Sequence, residues 1–450
     1  MPRPEHSVSR TSISPNALKV LYRLHEAGFQ AFLVGGAVRD LLLGKTPKDF
    51  DIATDAHPDD VDALFRNSRL IGRRFRLAHV RFGREVIEVA TFRGKATDNE
   101  SDQAALLDGD GRILRDNVYG QIDEDVWRRD FTANALYYNI ADFSIWDYVG
   151  GIRDIRARQL RLIGDTEQRL REDPVRMLRA IRFAAKLGFT IDPAVADIMP
   201  ELAPLLANVP AARLFDEFVK LFQGGAALAS FDALEKSGLF AVLFPDTAAM
   251  LDSDSDGHFR RFVTAALVNT DQRIASGQSV TPMFLLGVFL WEPSRQLAAK
   301  LAAADGLSPA QALSAAAAQT VLRQTQRIAI PRRFSAPMRE MYALQPRFAR
   351  REGRRAASFL EHRRFRAAYD FYLLRAEAGD TDAESAIAEF WTGVQTMPAA
   401  QRRREFGTPD GERSSQGRRR RRRPRRRPPS NHGLRCNAPI GVKAGSFRPK

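Results

Sequence analysis

The sequence has 450 residues, with 69 Lys plus Arg against 54 Asp plus Glu, a net charge of +15, seven His and one Cys. That length suggests two or three domains, and a hydrophobic fraction of 44% with 29 Phe excludes a wholly disordered chain. The longest apolar run, Phe284 to Trp291, is far short of the ~20 residues a bilayer crossing needs, so no membrane span is expected. The first residues lack the apolar stretch of a secretory signal. A lone cysteine, Cys436, can neither close an internal disulfide nor build a zinc site. A soluble protein of the reducing cytoplasm is expected.

Residues 1–14 read as a flexible leader. Ser14-Pro15-Asn16 then opens a helix, with Ser14 as N-cap, Pro15 at the first helical position and Gly28 as its stop. Ala31-Phe32-Leu33-Val34 reads as a strand, followed by Gly35-Gly36, a helix from Ala37 to Leu43 and a turn at Lys45-Thr46-Pro47-Lys48. A second strand runs from Asp49 to Thr54, and another from Arg84 to Phe92, rich in β-branched residues. Trp146 to Gly151 closes the strand-bearing region. Beyond about residue 160 the periodicity is helical almost throughout, punctuated by glycine and proline.

The charge is concentrated at one end. Residues 401–450 carry 17 Lys plus Arg and three acids, which leaves the first 400 residues close to neutral. Nine arginines fall between Arg418 and Arg427. They repel one another and bury nothing, so a disordered tail is expected. Its natural partner is a polyanion such as RNA, because each neutralised phosphate releases counterions. The alternative is a solvated solubility tail. Residues 321–375 hold 14 Arg and four acids, a second candidate surface for an RNA backbone. Within them Phe365, Tyr369 and Tyr372 share one helix face and are expected in the core.

Asp49 and Asp51 are two apart at the start of a strand. Both carboxylates therefore point one way while Phe50 and Ile52 point into the core. Two hard oxygen ligands held that closely suit Mg²⁺ and the phosphates of a nucleotide. The spacing alone is common in this chain. The context is not: strand, diglycine, helix, turn, strand. A glycine pair at a helix N-terminus lets backbone N–H groups approach a phosphate, and Arg39 can reach the same anion. Glu88, interrupting the apolar strand Val86-Ile87-Glu88-Val89, is the candidate third carboxylate of a two-metal site, or else an exposed position on a strand's outer face. Asp252 to Gly257 copies the first half of a calcium loop, but Val263 stands where a bidentate Glu is required, so a solvated acidic loop is expected there.

Leu33-Val34-Gly35-Gly36-Ala37-Val38-Arg39-Asp40 with Asp49-Phe50-Asp51 resembles the head of class II nucleotidyltransferases, the bacterial poly(A) polymerases and tRNA CCA-adding enzymes. Arg128 to Leu136 resembles that family's ribose- and nucleotide-contacting motif, Glu172 to Ala180 its base-recognition helix, and Ala212 to Phe218 its last neck motif. Leu70 to Val80 resembles the segment that marks the poly(A) polymerase branch.

The resemblance implies an α/β nucleotidyltransferase head with a small mixed β-sheet over 15–160, an all-α neck over 161–240 and a helical body over 241–400. The disordered basic tail would follow from 401. The neck would bind nucleotide and RNA, and the body RNA. Asp49 and Asp51 would bind two Mg²⁺ ions, supported by Glu88. Asp130 would be an active-site acid near the incoming ribose, and Arg128 or Arg129 would hold the nucleotide. Asp173 and Arg176 would meet the base, although an Asp–Arg pair on one helix turn can also be a plain salt bridge. The implied activity is template-independent addition of AMP from ATP to RNA 3′ ends, with RNA-decay proteins as further partners. A CCA-adding enzyme and a non-catalytic RNA-binding protein are the rival readings.

Overall fold

A computed structural model describes residues 1–72, 76–94, 105–107, 113–116 and 118–407. The arginine run of the tail lies outside the described residues, as do Arg73, Arg74 and Phe75 of the Leu70–Val80 segment.

The head is built on β1 (Ala31–Val34), β2 (Asp51–Thr54), β3 (Ser68–Ile71), β4 (Leu77–Phe82), β5 (Glu85–Thr91), β8 (Leu136–Asn139) and β9 (Ile145–Asp147). They form one mixed sheet in the order β3-β4-β5-β2-β1-β8-β9, while β6 (Ala105–Leu107) and β7 (Ile113–Asp116) pair separately. Within the large sheet only β2 and β5 run parallel. The parallel step matters for the site, because it places Asp51 beside Glu88. Ile52, Ile87 and Val89, on the opposite face, are buried. Helix α1 (Pro15–Glu26) begins where its signals predict, with Ser14 Oγ accepting from the Asn16 amide at 3.2 Å, and buries Val20, Leu21 and Leu24. Helices α2 (Gly36–Leu42), α3 (Pro58–Leu64), α4 (Ile122–Arg128) and α5 (Gly151–Arg156) complete the head.

Two expectations change here. Residues 1–14 do not form a loose leader. Val8 and Ile13 are buried, and the N-terminal ammonium donates to the Ile145 carbonyl at 2.8 Å, so a few apolar residues and one charge fasten the segment to the sheet. The second strand starts at Asp51, not Asp49, because β1 ends at Val34, the partner of Asp51, and offers nothing further to pair with.

From α6 (Thr166–Glu172) and α7 (Val175–Leu187) onward the described chain is helical apart from a two-residue parallel pairing of Gln159–Leu160 with Thr190–Ile191. Phe289, on the helix Pro282–Asp305, packs its ring against Phe218, Phe222, Phe231, Phe240 and Phe244. That cluster fixes the helix Ala211–Phe222, whose other face borders the candidate site. Phe365, Tyr369 and Tyr372 are buried, as their spacing predicts. Among the described residues no helix is long and apolar enough to cross a membrane. Phe289→Ala should cost about 3–5 kcal/mol through lost burial and the cavity left behind. A fall in the urea midpoint at unchanged slope is the expected result.

Candidate active site

β1 runs directly into the diglycine turn. Gly35 sits at φ 69°, in the left-handed region that costs other residues ~1–2 kcal/mol, so the chain turns into α2 with no side chain over the cavity. Helix α2 has seven residues, so close approach of the backbone matters more here than its dipole. Asp51 opens β2 between Val34 of β1 and Glu88 of β5. Partners in a parallel register project from the same face, so the Asp51 and Glu88 carboxylates emerge side by side. Asp49 precedes them on the turn. All three border a cavity of about 900 Å³, together with Gly35, Gly36 and Lys48.

Neither Asp49 nor Asp51 has an ion pair or side-chain hydrogen bond among the described residues. Asp51 is open to the cavity, yet its carboxyl is pushed up to about 6, first by poor hydration within the concave wall and then by repulsion from Glu88 and Asp49, against the pull of Arg129. The Glu88 carboxylate lies 3.2 Å from Nε2 of His79, its cross-strand neighbour. Two unpaired carboxylates with a third beside them on one face suit a hard cation, and the chemistry of the donor set fits one.

The opposite wall is basic. Arg129 donates to Asp125 at 3.0 and 3.1 Å and to the Tyr137 hydroxyl at 2.7 Å. Burial would lower its pKa, but Asp125 and Tyr137 outweigh burial and keep it firmly charged. Arg128 donates to the Gly94 carbonyl and is pushed down to about 10 by burial and by the adjacent Arg93 and Arg169 guanidinium groups. Burial likewise lowers Arg93, Arg169 and Arg182. Crowded, poorly hydrated guanidinium groups favour an anion. One cavity therefore wants a cation at one pole and an anion at the other, and a metal–nucleoside triphosphate complex offers both.

The remaining expected residues line the same cavity but are held by partners that the sequence does not reveal. Arg39 is 4% exposed, donates to Asp40 at 2.7 and 2.9 Å and to Asn134 at 2.5 Å, and lies over the Phe183 ring. It shapes the wall and does not reach out of it. Asp130 accepts two bonds from Arg179, at 2.8 and 2.5 Å, and others from the Phe131 amide and Asn134. Burial would raise its pKa, yet Arg179 and those donors hold it below the usual carboxylate range. An acid so occupied is a poor proton acceptor, and its geometry is that of a group that positions Arg179. Asp173 pairs not with Arg176 but with Arg213, at 2.8 and 2.6 Å, whereas Arg176 donates to Glu172 at 3.0 Å and to the Arg169 carbonyl at 2.5 Å.

Several lining residues receive no individual role from the sequence: Arg179, Arg182, Arg213 and Glu217, which lie in or beside the family motifs, and Lys186 and Lys220, which lie outside them. A signal exists. Arg176, Arg179, Arg182 and Lys186 form a helical stripe on α7, and Arg213, Asp216, Glu217 and Lys220 form another on Ala211–Phe222. Arg169 donates to the carbonyls of Arg128 and Arg129 at 2.9 and 2.7 Å, and with the Arg179–Asp130 pair it locks α6 and α7 to the head. In the Asp252–Gly257 loop, Asp254 is buried rather than solvated and accepts from the Arg260 amide at 2.8 Å. Asp254, Asp256 and His258 come together there, away from the cavity lining.

Comparison with known proteins follows this geometry. Residues 31–161 match the poly A polymerase head domain, 188–251 the probable RNA and SrmB-binding site of polymerase A, and 305–427 the polymerase A arginine-rich C-terminus. The chain is 47% identical over 404 residues to poly(A) polymerase I of Salmonella typhi, covering 90% of this chain and 87% of that protein. A CCA-adding enzyme of Bacillus subtilis is 40% identical over 227 residues, half of this chain and 55% of its own. The CCA-adding enzyme of Bacillus stearothermophilus, solved with CTP, shares the fold at a TM-score of 0.53 and 24% identity, over 89% of this chain and 90% of its own. Fold and cavity define a nucleotidyltransferase of the type shared by these enzymes. Within that class the chain belongs to the bacterial poly(A) polymerase I family. It is a polynucleotide adenylyltransferase that extends RNA without a template.

Arg179→Ala would leave the Asp130 carboxylate without its main partner. A loss of about 1–3 kcal/mol is expected in urea denaturation, below the fully buried value because Arg179 is 31% exposed. Asp130→Asn should be milder, since an amide still accepts from Arg179.

Proposed function

We propose that Asp49, Asp51 and Glu88 hold two Mg²⁺ ions, and that the basic wall of Arg128 and the α7 stripe holds the triphosphate of ATP. The observation that carries this reading is the Asp51–Glu88 register, with Asp51 pushed up to about 6 first by poor hydration and then by its acidic neighbours. When bound, the ions acidify the RNA 3′-hydroxyl and neutralise charge on the reacting phosphate and on departing pyrophosphate. The bond formed joins the RNA 3′-oxygen to the α-phosphorus. The bond broken joins that phosphorus to the bridging oxygen of the β-phosphate, and the hydroxyl proton goes to solvent. Gly35 and Gly36 let the backbone approach the phosphates. Arg129, pinned by the buried Asp125, and Arg39, pinned by the half-buried Asp40, keep the pocket wall in place before substrate arrives.

Asp173 and Arg176 are the proposed readers of the base. Arg176 retains Nε and Nη2 without a hydrogen bond among the described residues, and Asp173 keeps acceptor capacity beyond that taken by Arg213 and the Val175 amide. Adenine offers an amino donor beside a ring acceptor, which matches an Asp–Arg edge, whereas guanine and uracil present a carbonyl and a ring N–H. The neck over 161–240, the body over 241–400 and the arginine-rich tail are the proposed RNA-holding regions. RNA-decay proteins are proposed to meet the neck, since a matched segment there is described as a probable RNA and SrmB-binding site. The cytoplasm, which supplies ATP and RNA, is the proposed location.

Given a generic RNA and each nucleoside triphosphate in turn, the protein should extend the RNA with ATP. Asp49→Ala or Asp51→Ala should leave a folded protein that has lost tailing by at least about a hundredfold; near-normal tailing by either variant refutes the metal assignment. Protons and Mg²⁺ compete for Asp51. The Mg²⁺ concentration giving half-maximal rate should therefore rise as pH falls below about 6 and flatten above it. A pH-independent requirement would contradict that competition.

A further inference from the structure

A second basic cavity lies in the body and shares no residue with the catalytic one. It holds about 210 Å³ and is lined by Arg347, Arg350, Arg354, Arg355, Ser358 and Phe359, with no acid among them. A shallower concavity over Ala349–Arg355 shares Arg350, Arg354 and Arg355 with it.

Neighbouring arginines are mostly neutralised by acids. Arg363 and Arg364 share Glu340, Arg366 pairs with Asp370, and Arg375 is buried on Asp380. Arg350, Arg354 and Arg355 are exposed and have no ion pair or side-chain hydrogen bond among the described residues. Arg347 is held differently, with its guanidinium 4.5 Å from the centre of the Phe359 ring. Phe359 is 1% exposed and packs on Phe348, Phe365 and Trp391, so the floor of the pocket is part of the core.

The arrangement is unfavourable without an anion. Arg354 and Arg355 occupy the first turn of the helix Gly353–Leu360, where positive charge opposes the helix dipole. No side chain caps that helix. Four guanidinium groups around one small cavity add mutual repulsion. A phosphate reverses the sign of each of these effects, and guanidinium forks match its oxygens.

Two features select an extended polyanion over a small one. The rim arginines are exposed, so the pocket is open to a strand that passes across it. The shallower concavity beside it adds the exposed Arg351, so basic groups continue along the surface past the pocket. The activity supplies an RNA strand as the matching ligand.

We propose that Arg347, Arg350, Arg354 and Arg355 form a phosphodiester site that holds the RNA strand upstream of its reacting 3′ end. The proposal rests on the RNA-extending activity and adds a place where long substrates gain affinity that short primers cannot. It reads no base, because every contact is to phosphate.

The test compares the full-length protein with an Arg350→Gln/Arg354→Gln double variant on a trinucleotide primer and on a long unstructured RNA. The expected result is a KM for the long RNA raised about tenfold, and a salt dependence of its binding flattened by about 1.4, or 0.7 for each lost phosphate contact. The kcat, the KM for ATP and the trinucleotide KM should not move. Lysine at both positions should restore part of the loss. An unchanged KM and salt slope for long RNA would overturn the proposal, and would leave an acidic protein as the better-fitting ligand. A shift in the KM for ATP would assign the pocket to free nucleotide phosphates and also overturn it. Equal losses on both RNAs would mark the arginines as merely structural. Absence of ATP-dependent extension by the unaltered protein would instead sink the activity on which the proposal stands.

Discussion

The proposed function rests on one constraint, the crowding of the Asp51 and Glu88 carboxylates on one face of the sheet. A single parallel pairing in an otherwise antiparallel sheet sets the two carboxylates at the same register, and the turn before β2 adds Asp49. Such a cluster is costly unless a cation joins it, and together with the larger effect of poor hydration it raises the Asp51 carboxyl. The opposite wall carries the complementary frustration, with arginines crowded until several bind their protons less tightly. Each pole is uncomfortable alone, and a metal-bound triphosphate relieves both.

The rest of the fold keeps those poles opposed. The Arg179–Asp130 pair and the Arg169 bonds to the Arg128 and Arg129 carbonyls fasten helices α6 and α7 onto the head. The aromatic cluster around Phe289 carries the helix Ala211–Phe222 against α7, so that a charged stripe from each borders the same cavity. The Asp130–Arg179 pair therefore both fastens these helices and lines the cavity. Asp130, expected near the incoming ribose, anchors Arg179 at the cavity wall.

What the sequence revealed divides along local and long-range lines. Ser14, Pro15 and Gly28 mark the ends of α1 because capping is decided within a few residues, and β1 appears at the residues its apolar run predicts. Asp49 and Asp51 stood out for the same reason, through the diglycine turn beside them. Glu88 could not be assigned from sequence, since whether it faces the cavity or solvent depends on pairing with a strand 37 residues earlier. The partner of Asp173 was equally hidden, because Arg213 is 40 residues away on another helix. The leader was misjudged because its anchoring depends on two apolar residues and a terminal charge, too little to stand out as a pattern.

The most direct test of the acid pole is Mn²⁺ binding, followed by electron paramagnetic resonance on the protein alone and with ATP. The account predicts that Glu88→Gln and Asp51→Asn each weaken Mn²⁺ binding without altering the fold. Binding by both variants indistinguishable from that of the unaltered protein would contradict it.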